Sequence, residues 1–127
     1  MDGHVSTLMV VDDDPAIVHM LGHRLVAAGY RVLTAANGHE ALEIFGEHAG
    51  EIDLLFTDIK MPGGMSGIDL YDRLKRAKPS LKVVLSSGYS EEIMNLGVSV
   101  NPILVFLPKP FSVQELAATV RRCLDRN

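Results

Sequence analysis

The chain has 127 residues, with 16 acidic against 12 basic side chains, a formal net charge of −4 and 47% hydrophobic residues. This length suits one domain with a substantial core, and so high a hydrophobic share excludes a disordered chain. The mild acidity argues against a nucleic-acid surface, which needs clustered Lys and Arg. A single cysteine, Cys123, excludes an internal disulfide and is typical of the reducing cytoplasm. No apolar run approaches the ~20 residues of a membrane span, and residues 1–7 do not resemble a signal peptide, so we expect a cytoplasmic protein without membrane contact.

Five short apolar runs alternate with amphipathic segments along the chain. The runs cover residues 8–11, 31–35, 52–57, 81–86 and 103–107. All but the second are rich in Val, Ile and Leu, and none alternates strictly between apolar and polar residues. This pattern indicates strands that are buried on both faces of a parallel sheet.

Helical patterns occupy the intervals between these runs. The predicted N-caps are Asp14 (followed by Pro15), Asn37, Ser66 and Ser112, and Gly29 should end the first helix. The predicted apolar faces contain Ile17, Leu21 and Leu25; Ala41, Leu42 and Phe45; Leu70, Leu74 and Ala77; and Val113, Leu116, Ala117, Val120 and Leu124. Ser112 and Glu115 form a capping-box pattern. A fourth helix, at residues 90–97, is short and poorly patterned.

Five strands alternating with five helices predict a single doubly wound α/β domain with a five-stranded parallel sheet. Right-handed crossovers place helices on both faces of such a sheet. Ligands then bind beyond the carboxyl ends of the strands. The side chains that directly follow each run are therefore the candidate functional residues.

Acidic, hydroxyl and ammonium side chains follow four of the five runs. They are Asp12, Asp13, Asp14, Asp58, Ser87 and Lys109. Close carboxylates repel one another, so such a cluster needs protons or a cation. Carboxylates without Cys or convergent His favour Mg²⁺ or Mn²⁺ over zinc. A hard cation, an ammonium and a hydroxyl make a phosphoryl-handling set, in which one carboxylate would be the nucleophile that forms an acyl phosphate.

The order and spacing of five motifs extend this interpretation. The motifs are VVDDDP at 10–15, TDIKMP at 57–62, Gly67, SGY at 87–89 and FLPKPF at 106–111. In this order, and placed after predicted strands, they resemble the receiver domain of two-component response regulators over residues 8–124. The resemblance implies a flavodoxin-like sheet with strand order 2-1-3-4-5. We expect residues 1–127 to form one receiver domain with no output domain.

The resemblance also assigns roles within the acidic site. Asp58 matches the phosphoacceptor, and Lys109 matches the lysine that contacts the phosphoryl group. Asp12, Asp13 and Asp58, together with the backbone carbonyl of Lys60, match the site of Mg²⁺ or Mn²⁺, with Asp13 the more direct ligand. The peptide bond between Lys109 and the following proline is expected to be cis.

Two further residues match the switch of the family. Ser87, rather than Ser86, matches the switch hydroxyl because Gly88 fills the small position after it, and Phe106 matches the switch aromatic. The implied partners are a histidine kinase or a histidine phosphotransfer protein, and a downstream protein. The domain would be a monomer or a weak dimer through the face of the fourth helix, fifth strand and fifth helix. The loop with Gly63 and the turn at 87–89 resemble those of receivers in hybrid histidine kinases.

Three departures from the family pattern concern the output face rather than the acidic site. The loop at residues 62–67 is one residue longer than the commonest spacing. Residues 90–102 are short and irregular where a helix is expected. Phe106 replaces a tyrosine and so cannot form a hydrogen bond at its tip.

Other functions remain open alternatives. A magnesium-dependent phosphatase with an aspartyl nucleophile commonly needs an acid two residues after that nucleophile, where this chain has Lys60. A flavodoxin-like FMN binder needs donors in the first loop, where Asp12, Asp13 and Asp14 would repel the phosphate. A receiver-like scaffold that is never phosphorylated is the third alternative.

Four ionisable side chains are expected to lie outside the site. His19 and His23 are four residues apart on the first helix, but they point away from its apolar face, so a solvated surface is favoured over a metal site. Asp53 lies at the end of its strand opposite the site. The side chain of Lys60 is expected to face solvent.

Overall fold

The computed structural model describes residues 5–61, 63–87 and 104–125. Its strands are β1 (Thr7–Val11), β2 (Arg31–Ala35), β3 (Ile52–Asp58), β4 (Lys82–Ser87) and β5 (Leu104–Pro108). Its helices are α1 (Pro15–Ala27), α2 (Gly38–His48), α3 (Gly67–Ala77) and α4 (Val113–Asp125). The described ranges thus hold four helices instead of the five expected, because the helix predicted at residues 90–97 falls outside them.

All five strands are parallel and lie in the order β2-β1-β3-β4-β5, which confirms the predicted sheet. Three strands end one residue beyond their apolar runs, at Asp58, Ser87 and Pro108, because Asp58 still pairs with Ser86 and Ser87 with Pro108. The polar residues Asp58 and Ser87 therefore end strands rather than follow them. Their backbone is held by the sheet ladder, which fixes where their side chains begin.

Side-chain caps start the helices where the sequence predicts them. The Asp14 carboxylate accepts a hydrogen bond from the backbone N–H of Ala16 at 2.9 Å. The Asn37 side chain accepts one from Glu40 at 2.9 Å. Capping boxes close the starts of the last two helices, between Ser66 and Asp69 and between Ser112 and Glu115. Each cap satisfies backbone donors that the first helical turn leaves free.

Two apolar clusters cover the two faces of the sheet. One joins the sheet to α2 and α3, and contains Leu55, Leu85 and Leu70. The other joins it to α1 and α4, and contains Phe56, Val84 and Leu116. Neighbouring residues of one strand fall in different clusters, as the alternation of a strand buried on both sides requires.

Two details of the predicted core are wrong. Arg31 and Thr34 are exposed because β2 is an edge strand, so the prediction of burial on both faces fails there. Ala77 is also exposed, at the last position of α3, where the helix leaves the sheet.

In the part of the chain that the structure describes, no helix is long and apolar enough to cross a bilayer.

Candidate functional site

The carboxyl ends of β1, β3 and β5 bring an ammonium between two carboxylates. The Lys109 Nζ lies 3.3 Å from Asp58 Oδ2 and 3.6 Å from Asp12 Oδ2. These residues are far apart in sequence, and the parallel sheet places them at one edge. The sequence predicted this convergence from the positions of the residues after the strands.

Asp12 is the most deeply buried member of the group, with only 2% of its surface exposed. Its Oδ1 accepts a hydrogen bond from the backbone N–H of Asp14 at 2.9 Å. Its Oδ2 is buried without a hydrogen-bond partner in the described ranges, and it forms an ion pair with Lys109. An unsatisfied buried carboxylate oxygen is costly, so this atom favours a cation beside it.

Asp58 ends β3, and 13% of its side chain is exposed. The pKa of its carboxyl is raised above the ordinary value, chiefly because the group is buried. The nearby Lys109 partly offsets this rise, and the negative charge of Asp12 adds to it. The charged form of Asp58 is therefore disfavoured by its surroundings. A carboxylate that is poorly solvated and still reachable from solvent is suited to act as a nucleophile.

Three carboxylates of this edge can share one cation. Asp12, Asp13 and Asp58 each offer an oxygen, and these oxygens lie within 4.8 Å of one another. Asp13 is exposed, and it lines a depression of about 480 Å³ together with Lys60 and Ser66. An all-oxygen donor set, with one buried oxygen lacking a hydrogen bond, fits a hard divalent cation.

The remaining predicted site residues lie on β4, on β5 and in the loop that follows β5. Ser87 is buried at the end of β4, and its carbonyl accepts a hydrogen bond from the Lys109 backbone N–H at 3.0 Å. The Lys109–Pro110 bond is cis, as predicted. Phe106 is half-buried against the α2–α3 side of the core. Residues 88–103, which include Gly88 and the expected fourth helix, lie outside the described residues.

Gly67, which opens α3, contributes to the site in a way that the sequence analysis missed. A β-carbon at this position would lie 2.2 Å from the carbonyl oxygen of Asp58. Its N–H donates to the carbonyl of Ile59 at 2.8 Å. The start of α3 therefore packs directly on the backbone of the acidic strand end. The available signs of this close approach were a glycine directly after an N-cap serine and the place of Gly67 among the motifs of the family resemblance.

Of the residues expected outside the site, Asp53 lies at the opposite end of the sheet, whereas the exposed His19, His23 and Lys60 lie beside depressions that Asp13 also lines. His19 and His23 are exposed on α1 and line a groove of about 520 Å³ between α1 and β2. Asp53 lies near the amino end of β3, where its Oδ2 accepts a hydrogen bond from the Thr7 backbone N–H at 2.9 Å. Lys60 is exposed.

Known proteins with similar sequences carry the same domain within longer chains. The sensor kinase CckA of Brucella abortus is 39% identical over 99% of this chain and 13% of its own length. The DNA-binding transcriptional regulator NtrC of Azospirillum brasilense is 33% identical over 96% of this chain and 25% of its own. The chain thus spans about an eighth to a quarter of the length of these curated relatives.

Solved structures agree with the fold described above. The receiver domain of the hybrid histidine kinase CckA superposes with a TM-score of 0.79 at 35% identity, covering 94% of this chain and 100% of that one. The response regulator TrrA of Thermotoga maritima, solved in complex with Mg(2+)-BeF, gives a TM-score of 0.80 at 32% identity and covers 94% and 100% of the two chains. Residues 8–121 match the family model for the response regulator receiver domain. Fold, strand-end residues and sequence similarity agree, and the chain belongs to the response regulator receiver domain family of two-component signalling.

Proposed function

We propose that Asp58 of this domain accepts a phosphoryl group from a phosphohistidine of a partner protein. The observation that carries the proposal is the position of the Lys109 ammonium, 3.3 Å from the Asp58 carboxylate and 3.6 Å from that of Asp12. An ammonium in this place can neutralise charge on a phosphoryl group arriving at Asp58. Burial of the carboxylate leaves it poorly solvated and ready to attack.

The transfer requires one bond to form as another breaks. One side-chain oxygen of Asp58 attacks the phosphorus in line, and the bond from phosphorus to the histidine nitrogen breaks. The imidazole nitrogen keeps the electron pair of that bond. Lys109 stabilises the negative charge on the phosphoryl oxygens throughout. The product is an acyl phosphate on Asp58 and a dephosphorylated histidine.

The donor set supports a role for Mg²⁺, with Mn²⁺ as a second possibility. The residues that would hold the ion are Asp12, Asp13 and Asp58, with the backbone carbonyl of Lys60. Such an ion supplies positive charge that offsets the charges of the carboxylates and of the phosphoryl oxygens. The buried Oδ2 of Asp12, which lacks a hydrogen bond in the described ranges, supports this assignment.

The acyl phosphate would change the protein's binding surface. Its new acceptor oxygens attract the hydroxyl of Ser87, and Phe106 turns into the space that the serine vacates, which biases an existing equilibrium between two conformations. Ser87 and Phe106 lie on the paired strands β4 and β5, so one strand pair carries both. The partners would be a cytoplasmic histidine kinase or phosphotransfer protein, and a downstream protein that reads the altered face. We propose a monomer or a weak dimer through that face.

This function is that of a signalling module rather than of an enzyme that turns over a substrate. An aspartyl-nucleophile phosphatase commonly needs an acid two residues beyond the nucleophile, and this chain has the exposed Lys60 there. We therefore expect one phosphoryl group per protein molecule and no sustained hydrolysis of a phosphomonoester.

Labelling with radioactive acetyl phosphate tests the proposal. The wild type should incorporate phosphate in the presence of Mg²⁺, and Asp58→Ala or excess EDTA should abolish incorporation. Asp53→Asn is the matched control, because Asp53 lies near the other end of the same strand. Undiminished labelling of Asp58→Ala would overturn the assignment. A wild type that is never labelled, by acetyl phosphate or by a phosphohistidine protein, would favour the unphosphorylated scaffold.

A further inference from the structure

Asp58 has a hydroxyl neighbour on the adjacent strand that no step of the proposed reaction uses. Asp58 pairs in register with Ser86, one residue before Ser87. Asp12 directly follows Val11, which pairs with Thr57, so Asp12 continues the same row across the sheet. The row Asp12–Asp58–Ser86 therefore runs from the residue after β1 across β3 to β4 at the acidic edge.

The alternation of side chains places these three residues on one face of the sheet. Val10, Phe56 and Val84, each two residues earlier on its strand, all belong to the apolar cluster beneath α1 and α4. Residues two apart on a strand point to the same side. The side chain of Ser86 thus lies next to Asp58, on the face of the sheet that α1 and α4 cover. The residue before it on this face of β4, Val84, is apolar.

The hydroxyl of Ser86 is buried and unsatisfied. Ser86 has 0% of its surface exposed, and its Oγ has no hydrogen-bond partner in the ranges that the structure describes. Its backbone carbonyl is already used, accepting from Ile59 at 2.9 Å. A buried hydroxyl without a hydrogen bond destabilises the conformation that contains it. A second conformation in which this hydroxyl forms a hydrogen bond is therefore favoured relative to the first.

We propose that Ser86 is a positioning residue for the phosphorylated acceptor, and this inference rests on the proposed function. Strand neighbours are about 4.8 Å apart, a separation that a serine hydroxyl and an aspartate oxygen can bridge by rotamer changes alone. When phosphorus occupies one oxygen of Asp58, the other becomes an acyl carbonyl. The Ser86 hydroxyl donates to that carbonyl oxygen and holds the side chain with its phosphoryl group toward Lys109.

Beryllofluoride with Mg²⁺ provides an equilibrium probe of this contact, because it mimics the acyl phosphate without covalent turnover. Removing a hydrogen bond that exists only in the bound state should weaken beryllofluoride binding about threefold to tenfold. We expect this rise in Kd for Ser86→Ala, measured by 19F NMR titration. The urea midpoint of the free protein should stay the same or rise, because the variant removes an unsatisfied hydroxyl.

The pair Ser86→Thr and Ser86→Val separates the hydroxyl from packing. Both side chains have nearly the same volume, but only threonine carries the donor. Threonine should bind beryllofluoride more tightly than valine by the same threefold to tenfold. A Kd of Ser86→Ala equal to that of the wild type would refute the inference, and so would equal Kd values for the threonine and valine variants where neither binds more weakly than Ser86→Ala. If crowding weakens both larger variants, the alanine result decides.

A structural role for Ser86 predicts the opposite pattern. The alanine variant would then unfold at lower urea and bind beryllofluoride as the wild type does. A wild type that binds no beryllofluoride, and is not labelled on Asp58 by acetyl phosphate, would instead overturn the proposed function. The two failures are therefore distinguishable.

Discussion

Replacing Gly67 with alanine tests how closely α3 approaches the acceptor strand. The added β-carbon would lie 2.2 Å from the Asp58 carbonyl oxygen and 3.0 Å from Ile59 Cα. Favourable contacts lie near 3.5 Å, so the overlap with the oxygen is about 1 Å and involves backbone that no rotamer change can move. Because β3 is paired on both sides, we expect the start of α3 to shift. Overpacking of this kind should lower the free energy of unfolding by about 1–3 kcal/mol.

Gly46→Ala is the matched control for this variant. Gly46 lies on the exposed side of α2, and a β-carbon there would meet nothing within 4 Å. Alanine is the better helix former, so this variant should gain about 0.5–1 kcal/mol. Urea denaturation measures both, and with a slope of about 1–3 kcal/mol/M the midpoint of Gly67→Ala should fall by about 1 M. A midpoint at or above that of the wild type would refute the close approach.

Three further predictions concern individual charges. Burial raises the pKa of Asp58, so in EDTA the free energy of unfolding of the wild type should fall as pH rises from about 4. Asp58→Asn should therefore be more stable than the wild type at neutral pH and lose that advantage in acid. Urea midpoints at the two pH values check this, and a pH-independent difference would contradict it. Lys78→Met removes an ammonium that donates to the carbonyls of Ala49 (3.1 Å) and Ile52. This variant should lower the free energy of unfolding by about 1–3 kcal/mol. An unchanged urea midpoint would show that these bonds contribute nothing. Lys109→Met should slow labelling by acetyl phosphate at least about 100-fold while the protein stays folded, and a wild-type rate would exclude Lys109 from the site.

The arrangement of the sheet and the acidic edge could be predicted because each depends on local patterns. Continuous apolar runs indicate buried parallel strands, and caps such as Asp14 and Ser112 mark helix starts through hydrogen bonds within four residues. Once the runs are taken as parallel strands, the residues at their carboxyl ends must meet at one edge. Asp12, Asp58 and Lys109 were therefore brought together correctly.

Features that depend on packing between distant segments could not be predicted in this way. The exposure of Thr34 follows from the edge position of β2, which its composition only hints at. The contact of Gly67 with β3 depends on how α3 approaches the sheet. Lys78 reaches the carbonyl of Ala49 across 29 residues of sequence, and no spacing rule indicates such a bond.

The most direct test of the account is chemical identification of the phosphorylated residue. The protein is phosphorylated with acetyl phosphate and Mg²⁺, the acyl phosphate is reduced with borohydride, and the peptides are analysed by mass spectrometry. Reduction of an aspartyl phosphate leaves homoserine, so we predict homoserine in place of Asp58 and at no other acid of the site. Homoserine in place of Asp12 or Asp13, or a phosphoryl group that survives reduction on Ser87, would contradict the assignment of Asp58 as the acceptor.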